Sequence, residues 1–183
     1  MVGPTLMVTI PPNSPQHSVE GLQCAPSGRA ALGERQRAYL LPGQLHASAN
    51  PCQIRTILGS CVAICLWESR QRIGGMNHFL LPASSAGHPA STRFADVATR
   101  TLLEALQSLG CRPAQLEAKI FGGASMFQRT DRARMCLGSQ NVAAALELMK
   151  NAGIPVVVRE TGGTHGRKIM LNTDDGVVWC QRI

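Results

Sequence analysis

The sequence predicts a compact, layered α/β sandwich with a mixed, largely antiparallel sheet and two main helices. Three observations support this fold class. Short apolar runs of strand length recur between glycine-containing turns, two longer segments show helical spacing, and three hairpin-like returns leave few parallel crossovers. With 183 residues and 44% hydrophobic content, the chain can bury one sizeable core, which favours a single domain with a tail.

The first 38 residues differ from the rest in composition. Pro, Gly, Ser and Gln are scattered there without a sustained hydrophobic period, which is typical of a flexible leader, so the folded domain is expected over 39–183. The leader does not resemble a secretory signal, and the longest near-apolar run, 57–67, is too short to cross a bilayer. Seven cysteines without framework spacing suit a reducing compartment. We therefore expect a cytoplasmic protein without membrane insertion.

Two apolar runs around a small-residue turn begin the predicted core. Residues 54–58 form a short run with β-branched side chains that ends at Gly59 and Ser60, and CVAICLW at 61–67 continues as a strand. A polar stretch and two glycines then lead into a further apolar run at 76–81. The simplest interpretation of 61–81 is a β-hairpin.

The first helix is predicted over 92–109 from its apolar spacing. Ser91 or Thr92 is expected as its N-cap, and Gly110 stands where a residue just beyond the C-terminus belongs.

After this helix, strands and a second helix alternate. That second helix is expected to start at a Ser139 cap and to end near Gly153. Runs of strand character lie at 116–121, 156–159, 168–171 and 177–180.

A cysteine nucleophile is predicted at the start of the hairpin. A thiol is a good nucleophile only as thiolate, which requires a neighbouring base, a cation or N–H donors. Cys61 follows Gly59 and Ser60, whose small side chains allow a sharp turn with N–H groups available to a developing oxyanion. Cysteines in or beside ordinary apolar segments are expected to pack as small hydrophobes instead: Cys65, Cys111, Cys136 and Cys180.

His78 is the predicted partner of Cys61. In a hairpin the start of the first strand lies beside the end of the second, which brings the two residues close. His78 would take the thiol proton and later give it to the leaving amine, and Thr56 on the preceding strand is the nearest candidate to orient the ring. On spacing alone a purely structural alternative stays open, because a cysteine in an apolar run is usually core.

Other site classes receive less support. Cys61 and Cys65 have C-x3-C spacing, but no second Cys/His pair follows, so neither a metal nor a cofactor is expected. The net charge is +7, yet aromatic residues are only 4% of the chain, which disfavours nucleic-acid binding. The remaining polar candidates are interpreted as solvated loop residues: His46, His88, His165 and the RTDRAR run at 129–134.

A series of motifs resembles the CheD family in content and order. They are LGSCVAICLW at 58–67, GGMNHFLLP at 74–82, FAD at 94–96 and FGGASMF at 121–127, with further likeness in YLLPGQL at 39–45, in Gly138 and Asn141, and in TGG and GRK within 161–168. The resemblance covers roughly residues 39–183.

This resemblance implies a cytosolic glutamine deamidase that acts without a cofactor on the cytoplasmic domain of chemoreceptors. The family's nucleophile matches Cys61 and its histidine matches His78. The implied fold is similar to the catalytic domains of deamidating bacterial toxins, and in some chemotaxis systems the family binds a CheC-type phosphatase. We expect a monomer. Two alternatives remain, namely an acyl transferase or protease with the same Cys-His pair, and a non-catalytic chemotaxis adaptor.

The family's third catalytic residue is a threonine on the strand before the nucleophile. The resemblance places it one position ahead of Thr56, where this chain has Arg55. Because a slip of one residue turns a strand side chain to the opposite face, Thr56 can fill this role only if the turn at Leu58 and Gly59 differs by one residue.

Overall fold

The computed structural model of the protein describes residues 5–8, 35–84, 90–125 and 136–183. These residues form two α-helices, α1 (Ala95–Ser108) and α2 (Leu137–Asn151), and a short 3-10 turn at Pro113–Gln115. Their strands are β1 (Thr5–Val8), β2 (Gln36–Tyr39), β3 (Leu45–Ser48), β4 (Cys52–Leu58), β5 (Val62–Glu68), β6 (Ile73–Asn77), β7 (Leu116–Gly122), β8 (Val156–Thr161), β9 (Arg167–Asn172) and β10 (Val178–Arg182).

The strands form two sheets that pack face to face. The larger has the order β1-β3-β6-β5-β7-β8 and the smaller β10-β9-β4-β2. Strand pairs are antiparallel except β2 with β4 and β7 with β8, which run parallel. Both helices pack on one face of the larger sheet, and the smaller sheet covers the other face. The predicted class, a layered α/β sandwich with a largely antiparallel sheet, is confirmed.

Strand β5 is central to this arrangement because it is buried on both faces. Val62 and Ile64 belong to the apolar cluster beneath the helices, whereas Ala63 and Cys65 belong to the cluster between the sheets. Burial on both faces explains why the sequence of this strand is continuously apolar rather than alternating. Since side chains alternate along a strand, Cys61 shares the face of Ala63 and Cys65 and packs against the cluster between the sheets.

Strand β4 shows the alternation of a strand with one buried face. Cys52, Ile54, Thr56 and Leu58 are buried, while the residues between them are half-buried or exposed. Thr56 therefore points into the space between the sheets. Arg55 points the other way, and its guanidinium contacts Gln53 and the Met170 sulfur.

Both helices start at positions that differ from those predicted. Helix α1 begins after Phe94, without a side-chain cap, so the predicted caps Ser91 and Thr92 are wrong. The Thr92 hydroxyl instead donates a hydrogen bond to the Gly43 carbonyl, at 2.6 Å. Gly110 has φ +100° directly after the C-cap, which is the conformation expected of a glycine there.

Helix α2 has Cys136 as its N-cap, so the predicted cap Ser139 is wrong and lies inside the first turn. Gly153 follows the C-terminal end of this helix with φ +67°.

Three short strands, β1, β2 and β3, were not predicted. Strand β1 pairs with β3 and β2 pairs with β4, and β1 and most of β2 lie within residues 1–38, the predicted leader. In the described part of the chain, no helix is long and apolar enough to cross a membrane.

Candidate active site

The predicted hairpin is formed by β5 and β6, and it continues beyond β6 through one further residue pair. Val62 and Phe79 exchange both backbone hydrogen bonds, at 3.2 and 3.0 Å. This register sets Cys61 opposite Leu80 and His78 opposite Ala63. Cys61 and His78 are therefore diagonal neighbours on the face that meets the second sheet.

Thr56 contacts the His78 ring from the opposing sheet. The Thr56 Oγ lies 2.8 Å from His78 Nδ1 and 2.8 Å from the Leu40 carbonyl oxygen. A carbonyl can only accept, so the Thr56 hydroxyl donates to Leu40 and must accept from Nδ1–H. This pair of bonds selects the tautomer in which Nε2 carries no proton and can act as a base.

The surroundings of His78 keep its imidazole neutral. The residue is only 2% exposed, and burial lowers the pKa of His78 to about 4, although the Leu40 carbonyl acts in the opposite direction. Nε2 is buried without a hydrogen-bond partner among the described residues. At neutral pH the ring thus holds an unused lone pair within the space between the sheets.

The Cys61 thiol is half-buried and neutral at rest. Burial raises the pKa of Cys61, and its own backbone N–H acts against this by lowering it. Among the hydrogen bonds of the described residues, none joins Cys61 to His78. Such contacts often tighten only when substrate is bound. The two groups form a neutral thiol and a neutral imidazole rather than an ion pair.

Three backbone carbonyls at and before Cys61 accept hydrogen bonds from later parts of the chain. Ala124 N–H donates to the Gly59 carbonyl and Gly123 N–H to the Cys61 carbonyl, each at 2.8 Å. The fully buried Asn141 of α2 donates through Nδ2 to the Ser60 carbonyl at 3.0 Å and to the Leu80 carbonyl at 2.8 Å. Asn141 thereby ties both ends of the hairpin to the helix layer.

Two glycines allow this close approach. Gly122 has φ +105°, and a Cβ there would lie 2.2 Å from the Cys61 carbonyl oxygen. A Cβ on Gly138, at the start of α2, would lie 2.4 Å from the Gly123 carbonyl oxygen. Reasoning from residue chemistry assigned no role to these glycines or to Asn141, although they lie in the motifs that carry the family resemblance.

The other cysteines divide into two groups. Cys65 and Cys111 are buried, with pKa values raised by burial to about 12 and about 11, so their predicted packing is confirmed. For Cys136 and Cys180 the same prediction is wrong. Cys136 is half-buried at the start of α2, where hydrogen bonds from Ser139 lower its pKa, and Cys180 is exposed on β10.

His46 was interpreted as a solvated loop residue, and this is wrong. It lies in β3, is 4% exposed, and its Nε2 is 3.7 Å from the sulfur of the buried Cys52. His165 is exposed in the turn before β9, in agreement with its loop interpretation. The remaining minor candidates, His88 and the run at 129–134, lie outside the described residues.

Comparison with known proteins places the chain in one family. The model of the family described as CheD chemotactic sensory transduction matches residues 80–182. A curated relative from Anaeromyxobacter dehalogenans, named "Probable chemoreceptor glutamine deamidase CheD 1", is 46% identical over 151 residues, which is 82% of this chain and 87% of the relative.

Two further relatives carry the name "Probable chemoreceptor glutamine deamidase CheD". The protein from Trichlorobacter lovleyi is 41% identical over 80% of this chain and 91% of its own length. The protein from Sulfurimonas denitrificans is 38% identical over 82% of this chain and 96% of its own length. By this identity and coverage, the chain belongs to the CheD family.

Proposed function

We propose that the protein is a protein-glutamine deamidase that converts glutamine side chains of chemoreceptors to glutamate. Cys61 is the nucleophile, His78 the general base and Thr56 the residue that positions His78. The observation that carries this proposal is the Thr56–His78 hydrogen bond, which leaves Nε2 unprotonated on the face shared with Cys61. The names of the relatives support the substrate class.

The reaction begins with proton transfer from the Cys61 thiol to His78 Nε2. The sulfur then attacks the carbonyl carbon of the glutamine carboxamide, and a carbon–sulfur bond forms while the carbonyl electrons move to oxygen. Backbone N–H groups of Ser60 and Cys61 lie at the turn that would face this oxyanion. Because the hydrogen bonds to the carbonyls of Gly59, Ser60 and Cys61 fix the turn, its N–H groups need little rearrangement during attack.

Collapse of the tetrahedral intermediate breaks the carbon–nitrogen bond. The imidazolium gives its Nε2 proton to the departing nitrogen, ammonia leaves, and a thioester to Cys61 remains. His78 next takes a proton from water, which attacks the thioester carbon. The carbon–sulfur bond then breaks, the thiolate regains its proton from His78, and the product side chain is glutamate. The sum is amide plus water giving acid plus ammonia, and no cofactor takes part.

The low pKa of His78 makes its protonated form costly in the resting site. During attack, however, the oxyanion develops nearby, and Nδ1–H of the imidazolium donates to Thr56. Hydrogen bonds from a charged donor are stronger than those from a neutral one. The imidazolium is therefore stabilised mainly when substrate reacts, which is where catalysis needs it.

The charge of the chain supports an acidic partner. Lys and Arg number 18 against 11 Asp and Glu, so an acidic helical receptor surface would attract the enzyme, with a strong dependence on salt. We further propose that the enzyme acts in the cytoplasm as a monomer and that it binds a CheC-type phosphatase where one is present. Equal activity on receptor at low and high salt would argue against electrostatic attraction.

The decisive experiment incubates a purified receptor cytoplasmic domain with wild-type, Cys61→Ala and His78→Ala proteins. Ammonia release and peptide mass are followed, with Cys180→Ala as a matched control because that cysteine is exposed and lies on an outer strand. We expect amide-to-acid conversion by the wild type and by Cys180→Ala only. Equal activity in all four proteins would remove the proposed site.

Two other results would favour the alternative functions. Cleavage or cross-linking of the receptor would indicate a protease or an acyl transferase. Wild-type chemotaxis with a Cys61→Ala protein that still binds receptor would indicate an adaptor.

A further inference from the structure

A cavity of about 250 Å³ lies at the turn between β8 and β9. It is lined by the end of β8, the turn into β9 and the end of β10. Two hydrogen bonds join this turn to the end of β7 and the segment that follows it: Gly162 N–H donates to the Gly122 carbonyl at 2.9 Å, and Ser125 N–H donates to the Gly163 carbonyl at 2.8 Å. The same segment donates hydrogen bonds to the carbonyls of Gly59 and Cys61, so backbone hydrogen bonds through this segment connect the turn of the cavity to the turn of Cys61.

Arg167 is the unusual member of the lining. It is only 4% exposed, its Nε has no hydrogen-bond partner among the described residues, and its Nη1 reaches only the His165 carbonyl, at 3.5 Å. No carboxylate of the described part of the chain lies within ion-pair distance of it. A buried guanidinium normally has an anionic partner, because an unpaired buried charge is costly. Arg167 therefore has binding capacity that this chain leaves unused.

The other charged side chains that line the cavity contact groups other than Arg167. Glu160 is the acidic residue of the cavity, and its carboxylate lies 3.8 Å from Arg182, both side chains being exposed. Arg159 donates through Nε to the Thr161 hydroxyl at 3.1 Å. The lining thus carries three arginines against one glutamate and is positive overall.

We propose that this cavity is a carboxylate subsite in which Arg167 receives an acidic side chain of the protein substrate. The proposal rests on the deamidase function given above and names a determinant of its substrate choice. A guanidinium matches a carboxylate with two parallel hydrogen bonds, and the cavity is large enough to admit an acidic side chain. An acidic residue seated here would fix the substrate segment so that a nearby glutamine meets Cys61.

The enzyme side of the test compares Arg167→Met and Arg167→Lys with wild type on the receptor cytoplasmic domain. Arg112→Gln is the matched control, because it removes one charge from an exposed position outside the cavity. We expect KM for Arg167→Met to rise about 10- to 100-fold, the cost of losing a hydrogen-bonded charge pair, with kcat nearly unchanged. Arg167→Lys keeps the charge without the paired geometry and should show a smaller rise. A KM for Arg167→Met that matches Arg112→Gln would overturn the proposal.

The substrate side changes each acidic residue near a modified glutamine to its amide, one at a time. One such change should raise KM for wild type by a similar factor, and it should have little further effect on Arg167→Met. If thermal unfolding shows that the Arg167→Met protein is not folded, the same substrate series measured with wild type and Arg167→Lys tests the proposal. Equal turnover of every substrate variant by wild type would refute a carboxylate subsite.

Binding to Cys61→Ala protein separates this proposal from the proposed function, since binding needs no turnover. Arg167-dependent binding of receptor without ammonia release by wild type would keep the subsite and remove the deamidase function. Ammonia release by wild type, together with receptor binding that does not depend on Arg167, would keep the deamidase function and remove the subsite. Stronger competition by inorganic phosphate than by succinate would assign the cavity to phosphate groups and overturn the carboxylate proposal.

Discussion

Replacing Thr56 with Val tests the arrangement that we propose makes His78 a base. Valine has nearly the shape of threonine but lacks the hydroxyl that bonds both His78 Nδ1 and the Leu40 carbonyl, each at 2.8 Å. Thr56 is fully buried, so water cannot readily replace the hydroxyl. Both former partners are left unsatisfied in the space between the sheets.

The size of the effect follows from these two bonds. An unsatisfied buried donor or acceptor costs about 1–3 kcal/mol, so the free energy of unfolding should fall by at least about 2 kcal/mol. In the reaction, the lost bond is one to an imidazolium, worth about 1.5–3 kcal/mol, which corresponds to a decrease in kcat/KM of about 10- to 150-fold. The decrease should appear in kcat, because the charged ring forms only during reaction.

The assay measures ammonia release from receptor under conditions where urea titration shows both proteins to be folded. Thr56→Ser is the matched control, since it keeps the hydroxyl and loses only a methyl group, and its kcat should stay within a few-fold of wild type. A folded Thr56→Val protein with wild-type kcat would refute the positioning role. So would a Thr56→Ser protein as slow as Thr56→Val.

Two further predictions concern protonation. The pKa of His78 falls from 6.5 to about 4 on folding, so the unfolded state binds more protons than the folded state between these pH values. Acidification through this window should therefore lower the free energy of unfolding by up to about 3 kcal/mol. Urea titrations should show a shallower pH dependence for His78→Gln, and an unchanged slope would contradict the buried neutral ring. The second prediction compares two cysteines: burial raises the pKa of Cys61, whereas hydrogen bonds lower the pKa of Cys136. Iodoacetamide should therefore label Cys136 at lower pH than Cys61 in the same sample, as measured by peptide mass spectrometry. The reverse order would indicate a Cys61–His78 ion pair at rest.

The hairpin could be predicted because the residues that specify it are close together in the sequence. Two apolar runs around a polar stretch specify the β5–β6 return, and strand alternation then assigns Cys61 and His78 to one face. The strand β6 starts earlier than the predicted run at 76–81, because Gly74 and Gly75 pair with β5 instead of forming the turn. The helix starts could not be predicted in this way. Near α1 the Thr92 hydroxyl bonds the distant Gly43 carbonyl rather than capping the helix, so a tertiary contact takes precedence over the local preference.

The residue that hydrogen-bonds the His78 ring could not be identified from the sequence alone, because it lies on the second sheet. Sequence spacing offered Arg55 and Thr56 as neighbours with opposite orientations, and only the packing of β4 against the hairpin shows which of them faces the ring. His46 was missed for a related reason. Its strand, β3, is only four residues long and has too few positions for a pattern, yet it lies inside the larger sheet between β1 and β6.

The hydrogen bonds that fix the turn at Cys61 also bear on when the site can form during synthesis of the chain. Cys61 and His78 precede in the chain the groups that hold the neighbouring carbonyls, which belong to Gly123, Ala124 and Asn141 and therefore leave the ribosome later. Contacts between distant parts of a chain form slowly, because loop closure must precede them. If the proposed mechanism holds, the turn beside the Cys61 thiol is not fixed until these later residues have been made, and we expect an incomplete chain without them to be inactive.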